Sequence, residues 1–332
     1  MNAAIIGCGL IGKKRANALK ASGHKICAVS DLNFGRAQSL ADSMGQDIRV
    51  TTDWNEIAAC KDIDLVVIST TNDWLTPIGI KMVEAGKHVL IEKPAARNAA
   101  EIEKLQAAVR AKNGAVKVWV GFNLRFHPAL AKAKLMVEEG LIGPVMFLRG
   151  RYGHGGRVGY DREWRADPDI AGGGELLDQG VHLIDLSRWF LGEIEQVSGF
   201  THTYFWDMPV EDNGFMFLKT AMQQVAWLQV SCTEWKNMFC LEIYGQNGKL
   251  QIDGVGGSYG TEKLTWYKML PEMGPPETMS WEYPGDDKSW QRETDGFIRL
   301  IQRGGSEIGN VDDAYAALDV VGKVYGMKEM AH

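Results

Sequence analysis

Three glycines near the start of the chain have the spacing of a loop that binds a dinucleotide. Gly7, Gly9 and Gly12 follow the short apolar run 3–6 and precede the helix-forming segment 13–22. In this pattern the first glycine permits a tight turn, the second lets a pyrophosphate approach the backbone, and the third lets helix and strand pack closely. The N-terminus of the following helix offers free N–H groups and positive dipole potential. The spacing therefore predicts a pyrophosphate-binding loop.

An acidic residue in a suitable position supports this prediction. Asp31 follows the β-like run Lys25–Ser30 and lies 19 positions beyond Gly12. Its carboxylate can accept hydrogen bonds from the adenosine ribose hydroxyls, and it would repel a 2′-phosphate, which favours NAD over NADP. The alternative is that the glycines form ordinary turns and that Asp31 only caps the next helix.

A lysine follows another predicted strand. The apolar run 89–91 leads directly into Glu92, Lys93 and Pro94. Ligands of open α/β sheets bind outside the carboxyl ends of the strands, and this is where the sequence places Lys93. Without further context, a lysine before a proline is ordinarily a solvated loop residue.

The elements that must position these residues change in type along the chain. Over residues 1–122, apolar runs alternate with helical patterns, which predicts a Rossmann domain with a doubly wound parallel sheet. Residues 123–332 are expected to form a second α/β domain. After a predicted helix at 175–190, β-rich runs separated by turns predict a mainly antiparallel sheet. The segment 271–284 is predicted to be a loop, and two helices close the chain, of which the last is a candidate for packing back on the first domain.

Composition restricts the possible functions. A chain of 332 residues predicts about two domains, and its 36 basic and 42 acidic side chains give a net charge of −6, which argues against nucleic-acid binding. The five cysteines form no CxxC pair, which predicts reduced thiols, a cytoplasmic location and no zinc site. The N-terminus lacks the pattern of a secretory leader, and no apolar run is long enough to span a bilayer, so no membrane partner is expected.

Ordered motifs between residues 7 and 182 resemble the glucose–fructose oxidoreductase / inositol dehydrogenase / MocA family. The matching positions are Gly7, Gly9, Gly12, Ser69, Thr70, Thr71, Asn72, Gly86, Lys87, His88, Val89, Glu92, Lys93, Pro94, Gly121, Phe122, Asn123, Arg125, Phe126, Pro128, Gly172, Gly173, Gly174, Asp178, Gly180 and His182. The resemblance implies a Rossmann domain followed by a domain with a large open antiparallel sheet for substrate binding and oligomerisation. It also implies a homo-oligomer, as a dimer or tetramer, and hydride transfer to or from a sugar or polyol carbon.

The resemblance also assigns roles to individual residues. Lys93, Asp178 and His182 match the family's catalytic lysine, aspartate and histidine. The residues expected along the cofactor are Gly7, Gly9, Leu10, Ile11, Gly12, Asp31, Thr70, Thr71, Asn72, Glu92, Lys93 and Asn123. One departure concerns the nicotinamide side, because many members carry a histidine shortly after the 70–72 equivalent, where this chain has the stretch 73–77, DWLTP.

These residue types suit the oxidation of a secondary alcohol, which removes a hydride and a proton. Asp178 and His182 lie four positions apart on a predicted helix and so share a face. Neutral His182 can take the hydroxyl proton, and the Lys93 ammonium can stabilise a developing alkoxide. Asp178 can orient the substrate or the imidazole, although Asp185, one turn further on, could orient the ring instead. The glycine run 172–174 would allow close backbone approach to ligand and cofactor.

Asp178 and His182 are open to two other interpretations. They could form an ordinary polar pair on a surface helix. They could also belong to a metal site, but no third ligand lies at suitable spacing.

The segment 149–165 contains five arginines among glycines and aromatic residues. Arginines bind phosphate or carboxylate in a forked geometry, and flat aromatic faces suit sugar rings, so this segment could hold an anionic or nucleotide-linked sugar. The residues of this segment expected to contact substrate are Arg151, His154, Arg157, Tyr160, Trp164 and Arg165, and the resemblance implies that Asn123 and Arg125 lie near the nicotinamide end or substrate. The alternative is a mobile loop whose arginines pair with carboxylates at 161, 163, 167 and 169.

The sequence therefore predicts an NAD-dependent oxidoreductase that acts on a secondary alcohol of a sugar, polyol or nucleotide-linked sugar, with Lys93 and His182 handling the hydroxyl proton. One alternative is an enzyme that keeps NAD tightly bound and uses it transiently for epimerisation or elimination. Another is a non-catalytic sugar or NAD sensor, against which the presence of both Lys93 and His182 argues.

Overall fold

The computed structural model describes residues 1–45, 47–305 and 309–330, with side chains as far as residue 327. The chain divides into two compact units. The first comprises Met1–Phe122, Asp169–Gly172 and Trp290–Leu318, and the second comprises Asn123–Pro168, Gly173–Ser289 and the residues from Asp319 onward. Among the described residues, no helix combines the length and the apolar character needed to cross a bilayer.

The first unit contains a parallel sheet, as the sequence predicts, and this sheet has six strands. Its strands are β1 (Asn2–Ile6), β2 (Lys25–Ser30), β3 (Arg49–Thr51), β4 (Leu65–Ile68), β5 (His88–Ile91) and β6 (Val118–Val120), in the order β3-β2-β1-β4-β5-β6. Every residue of β4 is buried, as expected for a parallel strand with both faces covered. The sequence pattern did not reveal the short β3.

The helices of this unit follow the strands. They are α1 (Leu10–Ala21), α2 (Phe34–Met44), α3 (Asn55–Ala59), α4 (Asn72–Glu84) and α5 (Ala99–Ala111). Side chains at two N-caps satisfy free N–H groups: Asn33 accepts from the N–H of Arg36 at 3.1 Å, and Asn98 from that of Glu101 at 3.0 Å. Because parallel strands end at one edge of a sheet, the segments that follow β1, β2, β4 and β5 all begin at that edge.

The second unit contains an eight-stranded, mainly antiparallel sheet. Its strands are β7 (Val145–Gly153), β8 (Ile194–His202), β9 (Asn213–Thr220), β10 (Val225–Ser231), β11 (Met238–Gly245), β12 (Gly248–Asp253), β13 (Glu262–Lys268) and β14 (Glu277–Tyr283), in the order β14-β13-β12-β11-β7-β10-β9-β8. Only β7 and β10, among these described strands, pair in parallel. Alternate residues of β11 and β12 are buried, which is the period-2 pattern expected for a strand packed on one face.

Helices complete the fold. They are α6 (Pro128–Glu138), α7 (Pro168–Ala171), α8 (Val181–Leu191), α9 (Ser289–Arg303) and α10 (Val311–Met330). Within the second unit, α8 packs against β7, and α6 packs against β12, β13 and β14. The first residues of α10 belong to the first unit, and those from Asp319 onward belong to the second.

Two predicted elements differ from the structure. The segment 271–284, predicted as a loop, contains β14, which pairs with β13 and lies at the edge of the sheet. Most of its residues are exposed or half-buried, so it lacks the apolar alternation that reveals a strand. The single helix predicted at 175–190 is a π-turn, Leu176–Gly180, followed by α8.

Candidate active site

The glycine loop leaves one side of its backbone open. Gly7 has a φ of +92°, and a β-carbon there would lie 2.6 Å from the carbonyl carbon of Ser69. A β-carbon at Gly12 would overlap the carbonyl oxygen of Gly7, whereas nothing lies within 4 Å of the corresponding position at Gly9. The first turn of α1 contains no acidic residue, and no side chain caps it. The open side at Gly9 and the uncapped N–H groups fit the pyrophosphate of a dinucleotide.

The Asp31 carboxylate is held beside this loop. Its Oδ2 accepts the N–H of Cys8 at 2.8 Å, and its Oδ1 accepts the N–H of Asn33 at 2.8 Å. These bonds fix the carboxylate at the end of β2, where it can face a ribose. Burial, with a further contribution from the charge of Asp31, raises the pKa of the Cys8 thiol to about 12. Cys8 is therefore an inert thiol.

The loop after β4 is tied to the rest of the first unit through polar side chains. Thr70 Oγ1 donates to the carbonyl of Thr71 at 3.2 Å, and Thr71 Oγ1 donates to Asp73 at 2.6 Å. The buried Asn72 amide donates to the carbonyl of Ala171 at 2.8 Å. In the stretch where many family members carry histidine, Trp74 is 43% exposed and meets the Trp54 ring edge-on at 6.5 Å.

Glu92 has a partner inside the protein that the sequence did not predict. Its Oε1 accepts a hydrogen bond from Arg15 Nε at 2.5 Å, and the Arg15 guanidinium also pairs with Glu293. Lys93 follows at the end of β5, half-buried, and its peptide bond to Pro94 is cis. Although Glu92 is predicted to lie along the cofactor, its carboxylate is thus bound to Arg15.

Asp178 and His182 lie on either side of the junction between the π-turn and α8. The Asp178 N–H donates to the carbonyl of Gly174 at 3.0 Å, and its Oδ2 accepts from Arg165 Nε at 3.1 Å. His182 is 5% exposed, and its ring meets that of Tyr152 edge-on with centroids 6.0 Å apart. Turns of the π type are frequent at functional sites. The predicted common face assumed a regular α-helix, which this segment is not.

A second carboxylate of the same segment, Glu175, was missed by sequence analysis. It is buried, accepts a hydrogen bond from the Tyr160 hydroxyl at 3.3 Å, and pairs with His154 Nε2 at 3.3 Å. Burial lowers the pKa of His154, but the hydrogen bond and charge of Glu175 outweigh burial, and the net pKa is raised. Glu175 therefore favours the charged form of His154.

Within the segment 149–165, three residues predicted to contact substrate are bound to neighbouring side chains: Arg157, Trp164 and Arg165. Arg157 donates to both carboxylate oxygens of Glu163, at 2.6 and 2.5 Å. The guanidinium of Arg165 lies 4.5 Å from the centre of the Trp164 ring, in addition to its bond to Asp178. Carboxylates thus balance the charges of Arg157 and Arg165. Glu163 is one of the partners that the alternative interpretation expected, and Asp178 is a further one.

Arg125 and Arg151, which were also predicted to contact substrate, have different surroundings. Arg125 is buried and donates two hydrogen bonds to the Asp185 carboxylate, at 2.8 and 2.5 Å. Asp185 is therefore a partner of Arg125. Arg151 is exposed and adjoins Tyr152 on β7, and successive side chains of a strand point to opposite faces. Since Tyr152 contacts His182, Arg151 lies on the other face of the sheet from His182. Asn123, predicted near the nicotinamide, donates to Ser289 Oγ at 3.0 Å.

The fold and these features are those of a protein that binds a dinucleotide. The model of the oxidoreductase family with an NAD-binding Rossmann fold matches residues 1–122, and that of the GFO/IDH/MocA C-terminal domain matches residues 130–251. The chain belongs to the GFO/IDH/MocA family of oxidoreductases, as its motifs predicted. Structural neighbours solved with NADH are in keeping with the predicted cofactor.

Similar proteins are sugar and polyol dehydrogenases by name. Levoglucosan dehydrogenase of Pseudarthrobacter phenanthrenivorans is 33% identical over 235 residues, which cover 64% of this chain and 57% of that protein. Inositol 2-dehydrogenase of Salmonella paratyphi B is 28% identical over 195 residues, covering 58% of this chain and 55% of that protein. These alignments span little more than half the length of either relative. A levoglucosan dehydrogenase structure in complex with NADH superposes with a TM-score of 0.87 at 26% identity, covering 98% of this chain and 97% of that one.

Proposed function

We propose that this protein is an NAD-dependent dehydrogenase that transfers a hydride between nicotinamide and a secondary alcohol of an uncharged sugar or polyol. The observation that carries the proposal is the glycine loop, where Gly9 leaves its side open while Asp31 is held beside it by two backbone N–H groups. The levoglucosan and inositol dehydrogenases among its relatives suggest the substrate class.

The chain's own residues would manage the proton. Bound nicotinamide supplies the hydride acceptor when the alcohol is oxidised. We assign His182 as the base that takes the hydroxyl proton and Lys93 as the cation that stabilises the developing alkoxide. Asp178, held by Arg165, would orient the substrate or the imidazole. These roles come from the family's motif and from side-chain chemistry.

The pairing of charges supports an uncharged substrate. Arg157 is bound to Glu163, and Arg165 to Asp178, so a carboxylate already balances the charge of each guanidinium and weakens its attraction for an anionic sugar. The half-buried Asp178 offers an acceptor for sugar hydroxyls. A nucleotide-linked sugar is accordingly expected to react more slowly than a plain sugar or polyol.

We also propose a homo-oligomer that uses the open face of the second sheet. Phe217 and Trp227 lie opposite each other on neighbouring strands and are 52% and 54% exposed, and Phe147 stacks on Tyr244 on the same sheet. An exposed aromatic patch of this kind is typical of a protein interface. Sedimentation of the Trp227→Lys variant, compared with the wild type, tests this assignment. The cytoplasmic location remains a prediction from the sequence.

The function is tested by a cofactor-reduction screen. The purified chain is offered NAD or NADP with levoglucosan, inositol, an acidic sugar and a nucleotide-linked sugar, and reduced nicotinamide is measured by absorbance. Lys93→Ala and His182→Asn should each lower turnover about a hundredfold or more. The matched controls are Lys104→Ala and His202→Asn, which change exposed residues of the same types.

Three outcomes would overturn parts of the proposal. Undiminished turnover in Lys93→Ala or His182→Asn would refute the assigned roles. Reduced cofactor that forms once per subunit and never leaves the protein would instead support the transient use of NAD in epimerisation or elimination. Binding of sugar and NAD with no redox change in either direction would support a sensor.

A further inference from the structure

Glu211, in the connection between β8 and β9, is buried against the start of the π-turn. Its Oε2 accepts the N–H of Gly174 at 3.2 Å, and its Oε1 accepts that of Leu176 at 3.1 Å. Its own carbonyl accepts the N–H of Glu175 at 3.1 Å. One residue therefore receives three successive N–H groups from the segment that leads into the π-turn.

Tyr325 on α10 is the second component of this arrangement. Its hydroxyl donates to Glu211 Oε1 at 2.8 Å. Burial, and then the charge of Glu211, raises the pKa of Tyr325 well above its ordinary value, so the hydroxyl keeps its proton and remains a donor. Burial also raises the pKa of Glu211, while hydrogen bonds from Tyr325 and the backbone act in the opposite direction. The Glu211 carboxylate thus joins α10 to the backbone at the start of the π-turn.

Two glycines of the run 172–174 make this packing possible. A β-carbon on Gly173 would overlap the Tyr325 hydroxyl, and one on Gly174 would overlap the carbonyl oxygen of Glu211. The sequence suggested that these glycines let ligand and cofactor approach the backbone. At these two positions, side chain and backbone of the chain itself occupy that space.

We propose that Glu211 and Tyr325 are positioning residues, which set the places of Asp178 and His182 by holding the backbone at 173–176. The inference rests on the proposed function, in which Asp178 and His182 act on the substrate. The link is short, because the Asp178 N–H is bonded to the carbonyl of Gly174, and the π-turn continues directly into α8 with His182 in its first turn. A displacement of about 1 Å in a catalytic group can lower a rate about a hundredfold.

The test compares Tyr325→Phe and Glu211→Gln with two controls. Tyr315→Phe removes a hydroxyl from the same helix, and Glu195→Gln removes a charge from an exposed position on β8. Four quantities are measured: kcat and KM, the dissociation constant for NADH, hydrogen exchange of peptides covering 173–183, and the NMR resonance of the His182 ring, assigned by its loss in His182→Asn. Circular dichroism checks folding, and Tyr325→Phe carries the test if Glu211→Gln does not fold.

Both variants should lower kcat by about ten- to a hundredfold, with NADH binding within about twofold of wild type. Exchange at 173–183 should accelerate and the His182 resonance should move, whereas both controls should match the wild type. A wild-type kcat in Tyr325→Phe, despite faster exchange, would overturn the positioning role. If the wild type oxidises no sugar, the proposed function fails by itself. In that case, an unchanged His182 resonance in both variants would still refute the positioning.

Discussion

Replacing Glu293 with glutamine should remove much of the pH dependence of stability between about pH 5 and about pH 8. Glu293 and Glu92 share one guanidinium, that of Arg15, and all three residues are buried. The ring of Trp290 covers the guanidinium at 4.5 Å, and Trp119 Nε1 donates to Glu293 Oε1 at 3.3 Å. With both carboxylates ionised, this buried group has a net charge of about −1, which is costly away from water.

The magnitude follows from the pKa of Glu293. Burial raises this pKa to about 7 from its ordinary 4.5, with the charge of Arg15 acting against burial and the charge of Glu92 adding to it. At roughly 1.4 kcal/mol per pH unit, the difference corresponds to about 3 kcal/mol. Because the folded state holds the proton more tightly, this stabilisation is fully present below pH 4.5 and is lost as the pH rises through about 7.

Urea unfolding at a series of pH values checks the prediction. The glutamine variant loses a hydrogen-bond acceptor, at a pH-independent cost of about 1 kcal/mol, but it has no proton to exchange. Its free energy of unfolding should therefore rise relative to wild type by about 3 kcal/mol from low to high pH. Glu103→Gln, an exposed change on α5, serves as the control. Parallel curves for wild type and Glu293→Gln would refute the reasoning.

Three further outcomes are expected. Gly9→Ala should weaken NADH binding about tenfold or more without moving the urea midpoint, because the added β-carbon meets nothing in this chain. Gly12→Ala should lower both NADH affinity and stability, because its β-carbon overlaps the carbonyl oxygen of Gly7. Equal losses of urea midpoint in the two variants would contradict this prediction. Asp31→Ser should shift the ratio of kcat/KM for NADP over NAD about tenfold upward, and an unchanged ratio would argue against its ribose contact. Arg125→Met should lower the free energy of unfolding by about 3–5 kcal/mol in urea titrations, because it removes both Arg125 hydrogen bonds to the buried Asp185 carboxylate. A loss under about 1 kcal/mol would contradict a strong buried pair.

The parts of the fold that the sequence predicts are those whose signals are local. The parallel sheet is visible because β4 is a continuous apolar run with both faces covered, and the glycine loop is visible because strand, turn and helix follow within twenty residues. The antiparallel sheet is predicted by β-rich runs separated by turns, and the burial of alternate residues in β11 and β12 agrees with that pattern. Family motifs add the residues Lys93, Asp178 and His182, whose roles remain predictions.

The remaining features depend on partners that are distant in sequence. Nothing near Arg125 in the sequence indicates that Asp185 binds it, and the family resemblance had placed Arg125 near the nicotinamide or substrate. Glu211 and Tyr325 are 114 positions apart, and neither lies in a recognisable motif. The π-turn is hidden as well, because its residues have the composition of an ordinary helix, and β14 is hidden because an exposed edge strand need not alternate.

The ion pair between Arg15 and Glu293 also bears on the order in which the protein folds. It joins residues 278 positions apart, whereas Arg15 and Glu92 are separated by only 77. Closing the longer loop costs only about 1 kcal/mol more in chain entropy, but it must wait until the later residue has been synthesised. During synthesis, α1 and β5 can therefore assemble early around Arg15, yet the first unit is complete only when α9 arrives. A fragment ending at residue 122 would contain the glycine loop but would leave part of the Arg15 guanidinium uncovered.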